Sequence, residues 1–558
     1  MADLKKYAIY CENNGTEKKY PFGTTLKEII DDQKIDIGED ILGAMVNFRL
    51  KELDYMIYKP KSVRFIGFSH PAGRRMYERS MVMVLFKALY DLYPKYKLKI
   101  EHSVPGGLYC ELQNGHGNIK NIAPIVPELK KRMEEIIAND FPFEREELRT
   151  EKALKIFEEF GLEDKCTLIR TRHQYYSSVY KLDNVVNYFY GYLVPSTKYL
   201  KNFDLVTYFD GFVLVLPQSE NPDKLQKVEE RKKLFEIYQE FKEWVNIVGV
   251  PNVGKLNELV LEKRYGDVIK VSEALQEKKV ACIAEMIHSK KTARVVFISG
   301  PSSSGKTTFA KRLAVQLAVI GFKPTVISMD NYFVDREFTP RDENGNYDFE
   351  SPKALDLKLF NDNIIDLING KEIDVPKFNF AEGKKYFDGT KMKLKENGII
   401  IVEGIHGLNP KISAPIPEER KFKVSVSALT PLNIDSNNRI PTTDNRLIRR
   451  MVRDAKYRGY SALETLTRWP SVRAGEEKHI FPFQENADAM FNSALVYELG
   501  VLKRWAMPLL HDVPPDVPEY SEARRLLKFL SYFVSISERE IPPTSILREF
   551  LDGSSFHY

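Results

Sequence analysis

The run Gly300-Pro-Ser-Ser-Ser-Gly305-Lys306-Thr307 satisfies GxxxxGK[ST] and lies between the apolar stretch VVFIS and the helix-forming TTFAKRLAVQLAVIGF. Glycines at both ends let backbone amides curl around phosphate oxygens, and a helix start adds the positive end of its dipole. Ser302, Ser303, Ser304 and Thr308 add donors to the cradle formed by Gly300 and Gly305. Lys306 reaches the β- and γ-phosphates, and the Thr307 hydroxyl ligates Mg²⁺. These residues predict a site for ATP and Mg²⁺. A second run, Gly249-Val-Pro-Asn-Val-Gly254-Lys255-Leu256, has leucine where the Mg²⁺-binding hydroxyl belongs and follows a helical stretch, so it reads as a turn between helices.

Two acids stand where strands end. TVISM runs into Asp330-Asn331-Tyr332-Phe333, and IIIV runs into Glu403-Gly404. Ligands bind beyond the carboxyl ends of strands in open parallel sheets, so both acids are expected to face the phosphates. Asp330 suits a base that takes the proton of an acceptor hydroxyl, and Glu403 suits a group that holds Mg²⁺ or its water shell. Further on, DNRLIRRMVRDAKYRG sets Arg446, Arg449, Arg450 and Arg453 at spacings of three and four, so one helix stripe can present them to phosphate charge.

These residues need a scaffold. ARVVFIS, KPTVISM and NGIIIVEG are apolar without alternation and are separated by helical patterns, which predicts a parallel sheet covered on both faces. The chain has 558 residues, too many for one ordinary domain. Its 43% hydrophobic and 29% charged content is that of a folded globular protein. Residues 1 to about 62 read as a small α+β unit in which Thr24 or Thr25 caps a short helix, and a second unit begins near Val63 with the strand-like RFIGF. Residues 223–290 read as a helical connector, 291–510 as the phosphate-binding domain and 511–558 as a tail packing on it. The expected class is therefore multidomain α/β and α+β.

The net charge of +5 arises from 83 basic against 78 acidic side chains and neither demands nor excludes nucleic acid. Four cysteines without a CxxC pair give no disulfide framework and no zinc site. No apolar run approaches the ~18 residues of a membrane span, and the amino terminus lacks an apolar leader, so a cytoplasmic enzyme with no membrane partner is expected.

The ordered motifs GPSSSGKTT, SMDNYF, YDFESPKALD, VPKFNF, VEGIHGLNP and DNRLIRRMVRD resemble those of the uridine kinase and phosphoribulokinase family, over residues 294 to about 500. The resemblance implies a P-loop kinase that transfers the γ-phosphate of ATP to the 5'-hydroxyl of a uridine- or cytidine-like nucleoside. It makes Asp330 the base. Lys306, Arg449 and Arg453 become catalytic, and Arg446 a phosphate contact. Tyr332, Phe349, Glu350, Phe378 and Phe380 are then expected to bind the acceptor. Glu350 and Ser351 replace the Asp and His of the family's aromatic-Asp-His-Pro motif, and a pyrimidine-contacting His is missing near Gly383, so another nucleoside or sugar-like acceptor fits as well.

Residues 1–62 resemble a TGS domain, and 63 to about 222 resemble the editing domain of threonyl-tRNA synthetase, in SMVMVLFKALYDLYP, VPGGLYCEL and VPSTKYLKNFDL. The HxxxH positions of that domain become Arg79 and Met83, and FDLVTYFDG lacks the later Cys and His; His70 and His102 stand isolated. The resemblance implies a unit kept for binding or assembly, with RNA or an amino acid as its ligand, in a protein expected to be a homo-oligomer. The competing expectation is an RNA-binding or translation-linked regulator whose P-loop domain senses nucleotide without phosphorylating a metabolite.

Overall fold

Strands apolar at every position need cover on both faces, and the C-terminal half supplies it. In the computed structural model, which describes residues 6–557 except 116, 342–344, 346, 381 and 431, five parallel strands form one sheet. Their order across it is Lys323–Ser328, Gly398–Glu403, Val295–Ser299, Lys421–Ser427 and Ala489–Asn492. Val296 and Ile298 turn to the face covered by Phe309 and Leu313 of the helix Lys306–Val319, whereas Val295 and Phe297 meet Phe360 and Ile364 of the helix Leu357–Ile368. Because Val295–Ser299 is central, the chain leaves it toward one edge and then the other, which opens a crevice at the strands' carboxyl ends.

The helices Lys232–Val248, Val253–Leu261 and Tyr265–Ser289 occupy the region expected to connect the halves. Gly249 at φ +73° closes the first and the Asn252 side chain caps the second, so the run Gly249–Leu256 is a turn between helices. Val253, Val268 and Ile283 share one continuous core with Phe157 and Ile169 on the N-terminal side and with Phe309 and Leu313 beyond it.

The N-terminal sheet has five strands in the order Thr16–Pro21, Lys6–Cys11, Lys61–Ile66, Gly43–Val46 and Arg49–Lys51. Thr25, not Thr24, caps the helix Leu26–Gln33, in a reciprocal box with Glu28. The strand-like RFIGF does not open the second unit. Its strand, Lys61–Ile66, pairs with Lys6–Cys11 and Gly43–Val46 and completes the first sheet, because Val63 and Phe65 belong to that sheet's core. An antiparallel sheet follows, ordered Asp204–Tyr208, Gly211–Val215, Gly107–Asn114 and Lys97–Val104, and the long helix Pro71–Leu92 shares its core.

The two halves are joined by insertion. A short hairpin of the C-terminal half, Asn433–Asp435 with Asn438–Arg439, enters the N-terminal one. The Ile100 amide donates to the Ser436 carbonyl, and Asn433 and Asn437 side-chain amides donate to the Ile100 and Leu98 carbonyls. The Asn438 side-chain amide donates to the Tyr188 carbonyl, and a fully buried ion pair, Lys165–Asp435 at 2.7 Å, ties the hairpin down. The helix Thr442–Tyr457, which carries the arginine series, follows the hairpin within three residues. Among the described residues no helix is long and apolar enough to cross a membrane, and the four cysteines are free thiols.

Candidate active site

The strand Val295–Ser299 ends directly in the glycine-serine loop, and the helix Lys306–Val319 starts where the loop closes. A Cβ on Gly300 would collide with the Val426 carbonyl of the neighbouring strand, so only glycine permits this approach. Ser303 and Gly305 adopt left-handed backbone at φ +58° and +80°, which turns the intervening peptides inward. Lys306 Nζ donates to the Pro301 carbonyl at 3.1 Å. The Ser303 and Ser304 hydroxyls are buried and have no hydrogen-bond partner among the described residues.

Three carboxylates converge on this loop. Asp330 lies in the 3₁₀ turn Met329–Tyr332 after the strand Lys323–Ser328; burial pushes its carboxyl above the ordinary range, against the pull of Lys306, Arg458 and Arg453. Glu403 ends its strand and accepts a hydrogen bond from the Ser328 hydroxyl at 2.9 Å. Burial and the neighbouring Asp330 push it up to about 7, with Lys306 opposing. Glu350 is likewise pushed up to about 7 by burial and by Glu476, with Arg450 and Lys306 opposing. Acids crowded together and short of solvent favour protonation until a cation arrives. Among the described residues no group of three or more His, Cys, Asp or Glu side chains is arranged to hold a metal alone, so Glu403 would hold Mg²⁺ together with phosphate oxygens and the Thr307 hydroxyl.

The arginine helix divides along its length. Arg446 donates to the Ser302 carbonyl at 3.0 Å and pairs with buried Glu476; Arg449 donates to Ser493 and pairs with buried Glu498. Both guanidinium groups therefore brace the loop from behind, where the spacing predicted that they clamp phosphates. Seven residues at the helical rise cover ~10 Å, so a single stripe that begins under the loop ends beside the acids. Arg450 donates to the Ser302 hydroxyl at 2.9 Å, and Arg453, paired with Asp454, is the member of the predicted set that acts on Asp330 and Lys306, joined by Arg458.

On the acceptor side, Tyr332 departs from expectation. It is fully buried, edge-on to Phe360, and its hydroxyl accepts from the Asn363 side chain at 3.2 Å, so it is a core residue. Its neighbour Phe333 instead meets Phe378 and Phe380, with ring centroids 5.6 and 6.3 Å away. Phe378 and Phe380 lie 5.2 Å apart, and Phe380 is largely exposed. Phe349 is also exposed, near Tyr347. At the missing-histidine position, Gly383 has φ +71° and packs against Arg336.

Several residues here escape sequence reasoning. Glu476 accepts from the Ser302 amide at 3.0 Å and Glu498 anchors Arg449; each comes from a helix far along the chain. His406, in VEGIHGLNP, is buried, and burial and nearby His479 push it down to about 4. Glu549, near the carboxyl end, accepts from the Thr308 amide at 3.2 Å and its hydroxyl at 2.7 Å, while Ile546 packs on Gly305. An anionic side chain thus sits on the helix start that attracts phosphate.

The editing-like positions hold no comparable apparatus. Met83 is core, His70 caps the helix Pro71–Leu92 through Nδ1, and His102 stacks on Tyr238 of the connector at 3.5 Å. Arg79 lies beneath Tyr190 and Gly191, beside the inserted hairpin.

The glycine cradle, the orphan serine hydroxyls, Lys306 and the crowded acids fit a nucleoside triphosphate and a divalent cation. Fold and site together define a P-loop kinase domain. Residues 295–498 match the model of the phosphoribulokinase / uridine kinase family. A uridine kinase of Staphylococcus aureus is 28% identical over 199 residues, 36% of this chain and 86% of that protein. The N-terminal region is similar to a threonine–tRNA ligase of Syntrophomonas wolfei, 27% identical over 237 residues, which cover 39% of this chain and only 37% of the ligase. A solved structure titled as a possible uridine kinase from Bacillus stearothermophilus is 18% identical with a TM-score of 0.28, covering 38% of this chain and 98% of its own. The chain thus joins a P-loop kinase domain similar to that family to a region similar to part of a synthetase.

Proposed function

We propose that the protein transfers the γ-phosphate of ATP to a hydroxyl of a nucleoside, the 5'-hydroxyl of a uridine- or cytidine-like compound or of a related sugar-like acceptor. The observation that carries this reading is the convergence of Asp330, Glu403 and Glu350 on Lys306, with Arg453 and Arg458 close by. A sensor that only bound nucleotide would need the loop and Lys306 but no base facing a second substrate.

The loop amides and the Ser303 and Ser304 hydroxyls hold the phosphates, and Lys306 neutralises the β- and γ-oxygens. Mg²⁺, which Thr307 and Glu403 would hold, would supply further charge neutralisation. Asp330 accepts the acceptor's hydroxyl proton as the new oxygen–phosphorus bond forms and the bond to the β-phosphate oxygen breaks, releasing ADP. Arg453 and Arg458 offset charge on the transferring group, and Arg446 and Arg449 keep the loop rigid from behind. The Phe333, Phe378 and Phe380 cluster, with rings steeply inclined to one another, offers apolar ring surface suited to a base, and Glu350 an acceptor for sugar hydroxyls.

Asp330→Asn tests the assignment. The variant should bind ATP·Mg²⁺ within several-fold of wild type yet lose about 10²-fold or more in acceptor-dependent turnover. Turnover like that of wild type would remove Asp330 as the base and make Glu350 the next carboxylate to test.

A further inference from the structure

Where the inserted hairpin meets the helix Pro71–Leu92, the fold leaves a cavity of ≈ 70 Å³, several times the ~10–15 Å³ that one water needs. Arg75, Glu78, Arg79, Tyr190, Asn438 and Arg439 line it. Arg75 is paired with Glu522 at 3.2 Å, and Arg439 with Glu78 at 3.4 Å. Arg79 is different. It is 9% exposed, its guanidinium lies 4.7 Å from the Tyr190 ring centre, and among the described residues it has neither an ion pair nor a hydrogen bond. Two further buried atoms on the cavity's residues, Arg439 Nε and Asn438 Oδ1, also lack partners.

An arginine nine-tenths removed from water with five unused donors is costly, and native proteins meet that cost with a carboxylate or phosphate. Among the described residues no carboxylate pairs with Arg79. The surroundings sharpen the imbalance: burial, helped by Arg79, Arg145 and Arg172, pushes Lys528 down to about 8. The lining itself carries Arg75, Arg79 and Arg439 against one carboxylate, Glu78.

We propose that this cavity is a binding site for the oxyanion group of a small ligand, a carboxylate or a phosphate, seated on the Arg79 fork between the synthetase-like region and the kinase domain's hairpin. The site is separate from the phosphate loop, and both walls carry a path to the arginine helix. On one side Arg439 lies three residues before that helix. On the other, Arg75 pairs with Glu522, Glu522 with Arg525, and Arg525 makes two bonds of 2.6 and 2.7 Å to Asp444 in the helix's first turn. A ligand that draws Arg79 and the hairpin together bears on the helix that braces the loop, which suits an effector site.

The test is calorimetry on the full chain with the phosphate loop first filled by a non-hydrolysable ATP analogue and Mg²⁺, a step whose own heat reports separately on the kinase reading. Inorganic phosphate and acetate are then titrated. Wild type should bind one equivalent of at least one anion: phosphate alone assigns a phosphoryl ligand, acetate a carboxylate. Arg79→Met should weaken that binding at least about tenfold through loss of the charged fork. Glu78→Gln, which removes the cavity's own negative charge and leaves Arg79 intact, should tighten it several-fold, so the proposal stands or falls even if the arginine variant folds poorly. Binding of neither anion at millimolar concentration, or equal binding by wild type and both variants, overturns the proposal.

Discussion

Lys165 and Asp435 are both fully buried, 2.7 Å apart, and belong to opposite halves of the chain. Lys165→Met keeps the volume of the side chain and removes its charge. Asp435 would still accept from the Asn437 and Asn438 amides at 2.9 and 3.0 Å, so part of its charge remains solvated by the protein. Removing one partner of a buried pair costs ~3–5 kcal/mol, and the surviving bonds place the loss near the lower end, about 3 kcal/mol. Expressed locally, that is a drop of about 10²-fold in hydrogen-exchange protection at Asn437 and Asn438. Burial already holds the Asp435 carboxyl above its ordinary range, with Lys165 opposing. Without the lysine the folded state favours the protonated form more strongly, so the loss should shrink as pH falls toward the ordinary carboxylate range. Exchange mass spectrometry on wild type, K165M and the double variant K165M/D435N reads this directly, with the double variant recovering part of the protection. A loss below about 1 kcal/mol, or a double variant no better than the single, would refute the idea that this pair holds the hairpin in place.

Glu403 is raised to about 7 by burial and Asp330, and a ligating carboxylate must be ionised, so Mg²⁺ affinity should climb as pH rises through about 7 and flatten in Glu403→Gln, as Mg²⁺ titrations at pH 6 and 8 would read. In Mg²⁺-free protein the same raised carboxyl makes stability fall as pH rises from the ordinary 4.5 toward 7, which thermal melts would follow. Glu549 accepts from both donors of Thr308 at the helix start, so Glu549→Gln should strengthen nucleotide binding about two- to fivefold; a weakening by calorimetry would mean that Glu549 supports the loop.

The loop and the acids at the ends of its neighbouring strands were legible because each is a short local run whose surroundings, an apolar strand before and a helix or turn after, are also local. What the spacing of Arg446, Arg449, Arg450 and Arg453 could not give is how far along the stripe the acids begin, since that depends on where the helix docks. Tyr332 and Phe333 are adjacent aromatics, and the 3₁₀ turn that buries one and presents the other is decided by packing on Phe360. Glu476 and Glu549 reach the loop and its helix from 174 and 241 residues away, and Glu498 acts through Arg449, so no local pattern marks them. The inserted hairpin is the same case: nothing local in NIDSNNR shows that it docks on the Leu98, Ile100 and Tyr188 carbonyls of the N-terminal half. RFIGF has strand character in any sheet, and its pairing with Lys6–Cys11 and Gly43–Val46 rests on long-range partners.

The central claim is acceptor-dependent phosphoryl transfer, and its most direct measurement is ADP release by the purified full chain with ATP and Mg²⁺ across a panel of nucleosides and related sugars, with phosphorylated product identified by mass. At least one acceptor should stimulate ADP release and gain one phosphoryl group, and Lys306→Ala should abolish both, because the positive charge beside the β- and γ-phosphates is gone while the backbone cradle remains. Nucleotide binding without stimulation by any acceptor, or undiminished transfer by Lys306→Ala, would contradict it.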